Sequence, residues 1–179
     1  MHDPELVIRW QGRFIAAKTE GRWEYVSRVR GIEAAVILAI DEDAEAGDHI
    51  LLVEQYRVPL KANCLELPAG LVGDETAGEA IEDAAARELE EETGYRAARA
   101  DNLGRFASSP GMVSETFTLI RATGLERIGD GGGVDGENIT VHRVPLSDIA
   151  GFVEARRAEG MVMDVKLLLL LGAGMLAGR

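Results

Sequence analysis

The chain has 179 residues, 46% of them hydrophobic and 28% charged, with a formal net charge of −12; this suits one domain with a sizeable core and an ordinary globular composition. So acidic a chain lacks the basic surface that binds a nucleic-acid backbone, and no run approaches the roughly 18 apolar residues of a membrane-spanning helix. The single cysteine, Cys64, excludes an internal disulfide and fits a reducing compartment. The opening MHDPELVIRW carries acids where a secretory signal has basic residues ahead of an apolar core. A cytoplasmic protein is expected, with neither a nucleic acid nor a membrane as partner.

In chain order, Leu6 to Arg9, Arg13 to Thr19 and Trp23 to Arg30 read as short strands separated by Gln11-Gly12 and Glu20-Gly21 turns. So small a meander buries little by itself and must pack on the rest of the chain or on a second copy. Residues 1–31 therefore form an N-terminal β extension, and 32–179 the main domain. Trp23 beside Arg22, Arg28 and Arg30 offers either a stacking face with phosphate-binding cations or core aromatics with solvated arginines. Gly31 to Ile40 and Ile50 to Gln55 are apolar β runs joined by an acidic loop, and Tyr56-Arg57 leads into a Val58-Pro59 turn. Cys64 to Pro68 is another short strand, in which Cys64 is a small core residue and not a nucleophile.

Pro68-Ala69-Gly70 then delivers the chain to an acidic helix expected over about Ala77 to Thr93, closed by Gly94. Between Asp74 and Glu92 there are nine carboxylates and one base, Arg87. Glu88, Glu91 and Glu92 stand at i, i+3 and i+4 and share one helix face. Their mutual repulsion would be relieved by a hard divalent cation, for which carboxylate oxygens are suitable ligands. A solvated acidic helix is the plain alternative for such a cluster taken alone.

Downstream, Leu103 to Ala107 and Thr116 to Ala122 read as strands flanking a Ser109-Pro110-Gly111 turn that ends at Glu115. Asp130 to Asn138 is a glycine-rich loop expected to be mobile, and Ile139 to Val144 a strand. Ser147 is a candidate N-cap for a helix to about Glu159, broken by Gly160. Met163 to Met175 reads as the last helix. Strands interspersed with a few helices point to an α+β or α/β fold, an α/β/α sandwich on a mixed sheet.

Gly73, five residues, Glu79, seven residues, then Arg87-Glu88-Leu89-Glu90-Glu91-Glu92-Thr93-Gly94-Tyr95 matches every fixed position of the Nudix box, with Tyr95 an unusual final apolar residue. The chain thus resembles the Nudix hydrolases. The Trp23-Glu24-x-x-x-Arg28 strand, Gln55-Tyr56-Arg57, Glu66-Leu67-Pro68-Ala69-Gly70, the Ser109 to Glu115 loop and Gly160-x-x-x-Asp164-x-Lys166 are similar to their ADP-ribose pyrophosphatase branch.

That resemblance implies the Nudix α/β/α sandwich with a small N-terminal antiparallel β domain that mediates a homodimer. It implies Mg²⁺ or Mn²⁺, two or more ions, held by Glu88, Glu92 and the Ala69 carbonyl, with Glu91 a ligand or a partner of one. Arg87 and Glu79 would be structural. Glu115 is the expected general base, ahead of a box glutamate such as Glu91. Trp23 and Glu24 would take an adenine, helped by Trp10 of a second copy, and Arg28 and Arg57 the phosphates or terminal ribose. The implied activity is Mg²⁺-dependent hydrolysis of ADP-ribose to AMP and ribose 5-phosphate. The alternatives are another nucleoside diphosphate sugar, such as GDP-mannose or UDP-glucose, or a module that senses ADP-ribose without cleaving it.

Overall fold

The computed structural model describes residues 5–73, 78–134 and 136–176; Ala77, the expected first residue of the acidic helix, lies outside them. The N-terminal extension is an antiparallel meander of β1 (Leu6–Gln11), β2 (Ile15–Glu20) and β3 (Trp23–Arg28). It joins the rest of the chain through Val26, whose N–H donates to the Met112 carbonyl and whose carbonyl accepts from the Ser114 N–H, both at 2.9 Å.

The main body is an eight-stranded mixed sheet. Its path runs β11 (Val162–Met163), β6 (Ala62–Glu66), β5 (His49–Arg57), β4 (Glu33–Asp41), β9 (Thr116–Arg127), β8 (Tyr95–Ala107); β7 (Ala69–Val72) also pairs with β4, and β10 (Thr140–Pro145) with β5. The β4–β9 and β11–β6 pairs are parallel and the others antiparallel. β4 reads EAAVILAID because it is covered on both faces, so its apolar run is continuous instead of alternating. Ala35, Ile37 and Ala39 pack with Ala85 and Leu89 of α1 (Ile81–Thr93). Val36, from the opposite face, packs with Ile149 and Val153 of α2 (Ile149–Ala158) and with Leu167. The result is the expected α/β/α sandwich.

Three local expectations are corrected. α1 begins at Ile81, after an extended Ala80 that makes no side-chain cap. Ser147 does not cap α2, which is preceded instead by a single 3-10 turn over Leu146–Asp148. The expected Met163–Met175 helix is divided, because Met163 pairs in β11 with Leu65. Asp164 then accepts from the Lys166 N–H and opens a 3-10 turn over Val165–Leu167 ahead of α3 (Leu168–Leu176). Hydropathy alone does not register this break, because the strand and the helix are both apolar. No helix among the described residues is long and apolar enough to cross a membrane.

Leu89 is 1% exposed and anchors α1 to the sheet. Leu89→Ala should cost about 3 kcal/mol of unfolding free energy, read from urea denaturation. A loss below about 1 kcal/mol, the level of a tolerated volume-conserving swap, would show that α1 is not held by this contact.

Candidate active site

α1 carries Glu82 and Asp83 in its first turn, where the helix dipole favours acids, but no base in its last, where Glu90, Glu91 and Glu92 meet the negative end. The local sequence is thus unfavourable where the carboxylates cluster, and tertiary contacts offset the cost. Arg87 Nε lies 3.3 Å from Glu79, and its Nη1 lies 3.0 Å from Glu88 and 3.3 Å from Glu91. Its Nη2 also donates to the Leu71 carbonyl at 3.4 Å. Burial opposes the Arg87 charge, but the Glu79 hydrogen bond and the surrounding carboxylates outweigh it and raise the pKa. Reciprocally, the Arg87 hydrogen bond holds the Glu79 carboxyl below its usual value. Arg87 and Glu79 tie the helix to β7, since Glu79 also accepts from the Gly73 N–H.

Beside this contact, and lined in part by its Leu71 and Glu88, lies a cavity of about 390 Å³, within the range of small-molecule sites. Its lining includes Glu88, Glu92, Glu66, Glu115 and Glu137 on the acidic side and Arg28, Arg57 and Lys166 on the basic side. Gly70 makes the approach of Glu88 possible: a Cβ there would fall 1.8 Å from the Glu88 carboxyl carbon. Glu92 is buried, and its carboxylate accepts from the Ala69 N–H at 3.0 Å. Burial pushes its pKa from 4.5 up to about 8; the Ala69 hydrogen bond opposes this, and the charges of Glu88 and Glu137 add to it.

The cations are already engaged. Arg28 Nε donates to Glu115 at 2.5 Å, and Arg57 grips Glu66 through two bonds of 2.6 and 3.0 Å. Lys166 Nζ meets Asp164 at 2.7 Å and lies 5.7 Å from the Phe117 ring centroid. Two ion pairs join four of the eight charged residues of the lining, Glu88 pairs with Arg87 and Lys166 with Asp164 outside it, and the lining as a whole sets five carboxyl groups against three cations. A diphosphate would enter against this surplus unless a cation joined it, so the donor set suits a hard divalent ion. Among the described residues, no three acidic, histidine or cysteine side chains converge as a ready-made metal cluster. The carboxylates share the cavity without closing on one point, and Arg87 draws on Glu88 and Glu91.

Of the residues singled out from sequence, the cavity brings together Ala69, Glu88, Glu92, Arg28, Arg57 and Glu115. Glu91 faces Arg87 and is not part of the lining. Trp23 and Glu24 lie at the exposed far end of β3 and are not part of it either; the Trp23 ring has the Arg22 guanidinium 5.9 Å from its centroid. Trp10 is exposed and lies against Gly12. Glu137 was not singled out. It sits in a glycine-rich loop whose composition reads as a connector, and its approach to the cavity is purely tertiary. Glu66 and Lys166 stood within motifs, but only the folded chain shows them facing the same space.

A model of the NUDIX domain matches residues 30–161. The chain belongs to the Nudix family. It is 35% identical over 124 residues to the ADP-ribose pyrophosphatase of Bacillus subtilis, covering 69% of this chain and 63% of that one, just under two thirds. It is 31% identical over 157 residues to the ADP-sugar pyrophosphatase of Mus musculus, covering 81% and 70%. It is 33% identical over 150 residues to the GDP-mannose pyrophosphatase of Cronobacter sakazakii, covering 79% and 72%. A crystal structure of an ADP compounds hydrolase has the same fold, with a TM-score of 0.68 and 20% identity over 99% of this chain and 97% of that one. As a member of the Nudix family, the protein has its box where the geometry puts the charge: Gly73 and Glu79 at the β7 contact, Glu88 and Glu92 in the cavity.

The raised Glu92 pKa has a definite sign. A carboxyl whose pKa is higher folded than unfolded stabilises the fold fully below about 4.5, and that contribution is lost as pH rises through about 8. In metal-free protein held in EDTA, Glu92→Gln should therefore be more stable than wild type by roughly 2–4 kcal/mol at pH 8.5. The gap should shrink towards pH 5. A variant less stable than wild type at pH 8.5 would show that the ionised carboxylate is welcome in the fold without a cation.

Proposed function

We propose that this Nudix hydrolase cleaves the pyrophosphate bond of ADP-ribose, giving AMP and ribose 5-phosphate, with Mg²⁺ or Mn²⁺ held by Glu88, Glu92 and the Ala69 carbonyl and assisted by Glu91. One observation carries the proposal: a single cavity sets three carboxylates against arginine and lysine side chains that suit phosphate. The bound cation supplies charge neutralisation at the phosphate oxygens and a more acidic attacking water. Arg28, Arg57 and Lys166 orient the diphosphate by charge-assisted hydrogen bonds, Arg28 exchanging its Glu115 partner for substrate. Glu137 takes the proton of the attacking water. In this scheme the base is Glu137, which shares the cavity with Glu88 and Glu92, while Glu115, the residue expected from sequence to be the base, is the counter-ion that Arg28 releases when the diphosphate binds.

Recognition of adenine by Trp23 and Glu24, with Trp10 completing the stack, belongs to a homodimer in which the N-terminal sheets pack against a second copy. Leu6, Ile8, Trp10, Phe14, Ile15 and Trp23 are exposed on that sheet and support such a partner. The cytoplasm is the compartment that suits this substrate and the reduced Cys64. The similarity to a GDP-mannose pyrophosphatase supports a second substrate reading, in which the same chemistry serves a different base and sugar.

A hydrolysis panel of ADP-ribose, GDP-mannose and UDP-glucose with Mg²⁺ and with Mn²⁺ tests the proposal. ADP-ribose should be turned over with the highest kcat/KM. Preference for a guanine or uridine sugar would move only the substrate, and no cleavage of any would overturn the enzymatic reading. Glu137→Gln should lower kcat roughly 10²–10⁴-fold, the usual worth of a general base, while Glu115→Gln should chiefly raise KM. The reverse pattern would return the base role to Glu115.

A further inference from the structure

Helix α1 ends on a contact whose partners lie some forty residues further along the chain. The last carbonyls of a helix have no partner within it. The Glu90 carbonyl is closed locally by the Gly94 N–H at 2.9 Å, but Glu92 accepts from the Gly132 N–H at 2.9 Å and Glu91 from the Gly133 N–H at 3.0 Å. The Gly94 carbonyl in turn accepts from Ile128 and Gly129, at 2.8 and 3.0 Å. The β9–β10 connection is thus seated on the helix that carries the metal-binding glutamates.

Two left-handed glycines allow this approach. Gly131, at φ +67°, would place a Cβ 2.4 Å from the Thr93 carbonyl carbon and 2.6 Å from the Glu92 carbonyl oxygen; Gly94, at φ +75°, would place one 2.4 Å from the Gly129 oxygen. The obstacles are backbone, which cannot give way as a side chain can. The connection meets Glu92 only at its main-chain carbonyl, through Gly132, while the Glu92 carboxylate is held separately by the Ala69 N–H. On the same connection the Glu137 carboxylate accepts from the Val134 N–H at 3.0 Å, the Glu137 N–H donates to the Val134 carbonyl at 3.1 Å, and the Ile139 N–H returns to the Gly132 carbonyl at 3.1 Å. Gln55 Nε2 reaches the Glu137 carbonyl at 3.4 Å.

We infer that Gly131 is a positioning residue: by letting the connection lie directly on the end of α1, it sets Glu137 at a fixed place relative to Glu88 and Glu92. The inference rests on Glu137 serving as the base. The contact is main chain against main chain, so a one-carbon addition at Gly131 shifts Glu137 as part of its loop and leaves Arg28, Arg57 and Lys166 where they are. The loss belongs in turnover and not in substrate binding.

The test is a double-mutant cycle on the full-length protein, using the best substrate from the hydrolysis panel and Mn²⁺ titration for metal affinity. Gly131→Ala should lower kcat tenfold or more with KM and Mn²⁺ affinity within about twofold of wild type, and should add nothing further in a Glu137→Gln background. Gly129→Ala, whose Cβ would meet only open space, should keep wild-type kcat. If Gly131→Ala does not fold, Gly133→Ala takes its place, because a Cβ there would lie 2.3 Å from the Glu137 carboxylate and not against the helix. Equal losses with and without Glu137, or a change confined to KM, would overturn the positioning role while leaving the base in place. Normal turnover by Glu137→Gln would remove the base assignment and the positioning role together.

Discussion

The fold is arranged around a carboxyl group that is almost wholly buried. Glu92 lies at the negative end of α1, buried between Glu88 and Glu137, with one main-chain N–H from Ala69 as its hydrogen-bond donor. An isolated ionised carboxylate in such a place is costly, and the surroundings are built to hold it there. Arg87 and Glu79 fasten the helix to β7. Gly70 clears space for the neighbouring Glu88, and the glycines after β9 close the carbonyls above it. A rigid frame around an unfavourable charge is what a cation site requires, because the ion then recovers the cost of burial.

In the proposed reaction the same frame lets a chain of net charge −12 handle an anionic substrate. Acidic residues on the helix are separated from Arg28, Arg57 and Lys166 on the strands and on the turn before α3. The arginines are held in ion pairs with Glu115 and Glu66. Those pairs keep the cations in place and partly desolvated, while the two glutamates screen them from the helix carboxylates. A phosphate that displaces Glu115 from Arg28 exchanges one charge-assisted bond for another, so binding costs less than ordering a free arginine would.

The box was legible in the sequence because its information is local. A helix period sets Glu88 and Glu92 on one face, and a C′ glycine ends the helix at Gly94. The layered fold was equally legible, from strands interspersed with a few helices. What escaped depends on distance in the chain. Nothing around Glu137 distinguishes it from an acid in a connector until Gly132 and Gly133 are seen to cap a helix that ended forty residues earlier. Likewise Met163 reads as helix until β6 offers it a parallel edge. Arg57 was legible as a cation near the site, but its bidentate partner Glu66, on the neighbouring strand β6, was not. Trp23 shows the converse: its composition suggested a base-stacking face, and in a single protomer it stands at the far end of β3 from the cavity, where only Arg28 arrives.

The central claim, a cation site and a phosphate site meeting in one cavity, is tested most directly by a crystal structure with Mg²⁺ and a non-hydrolysable ADP-ribose analogue. The account predicts metal on Glu88 and Glu92 and the diphosphate between it and Arg28, Arg57 and Lys166. An analogue bound elsewhere on the protein, or a diphosphate held in the cavity by the basic residues with no metal on α1, would contradict it.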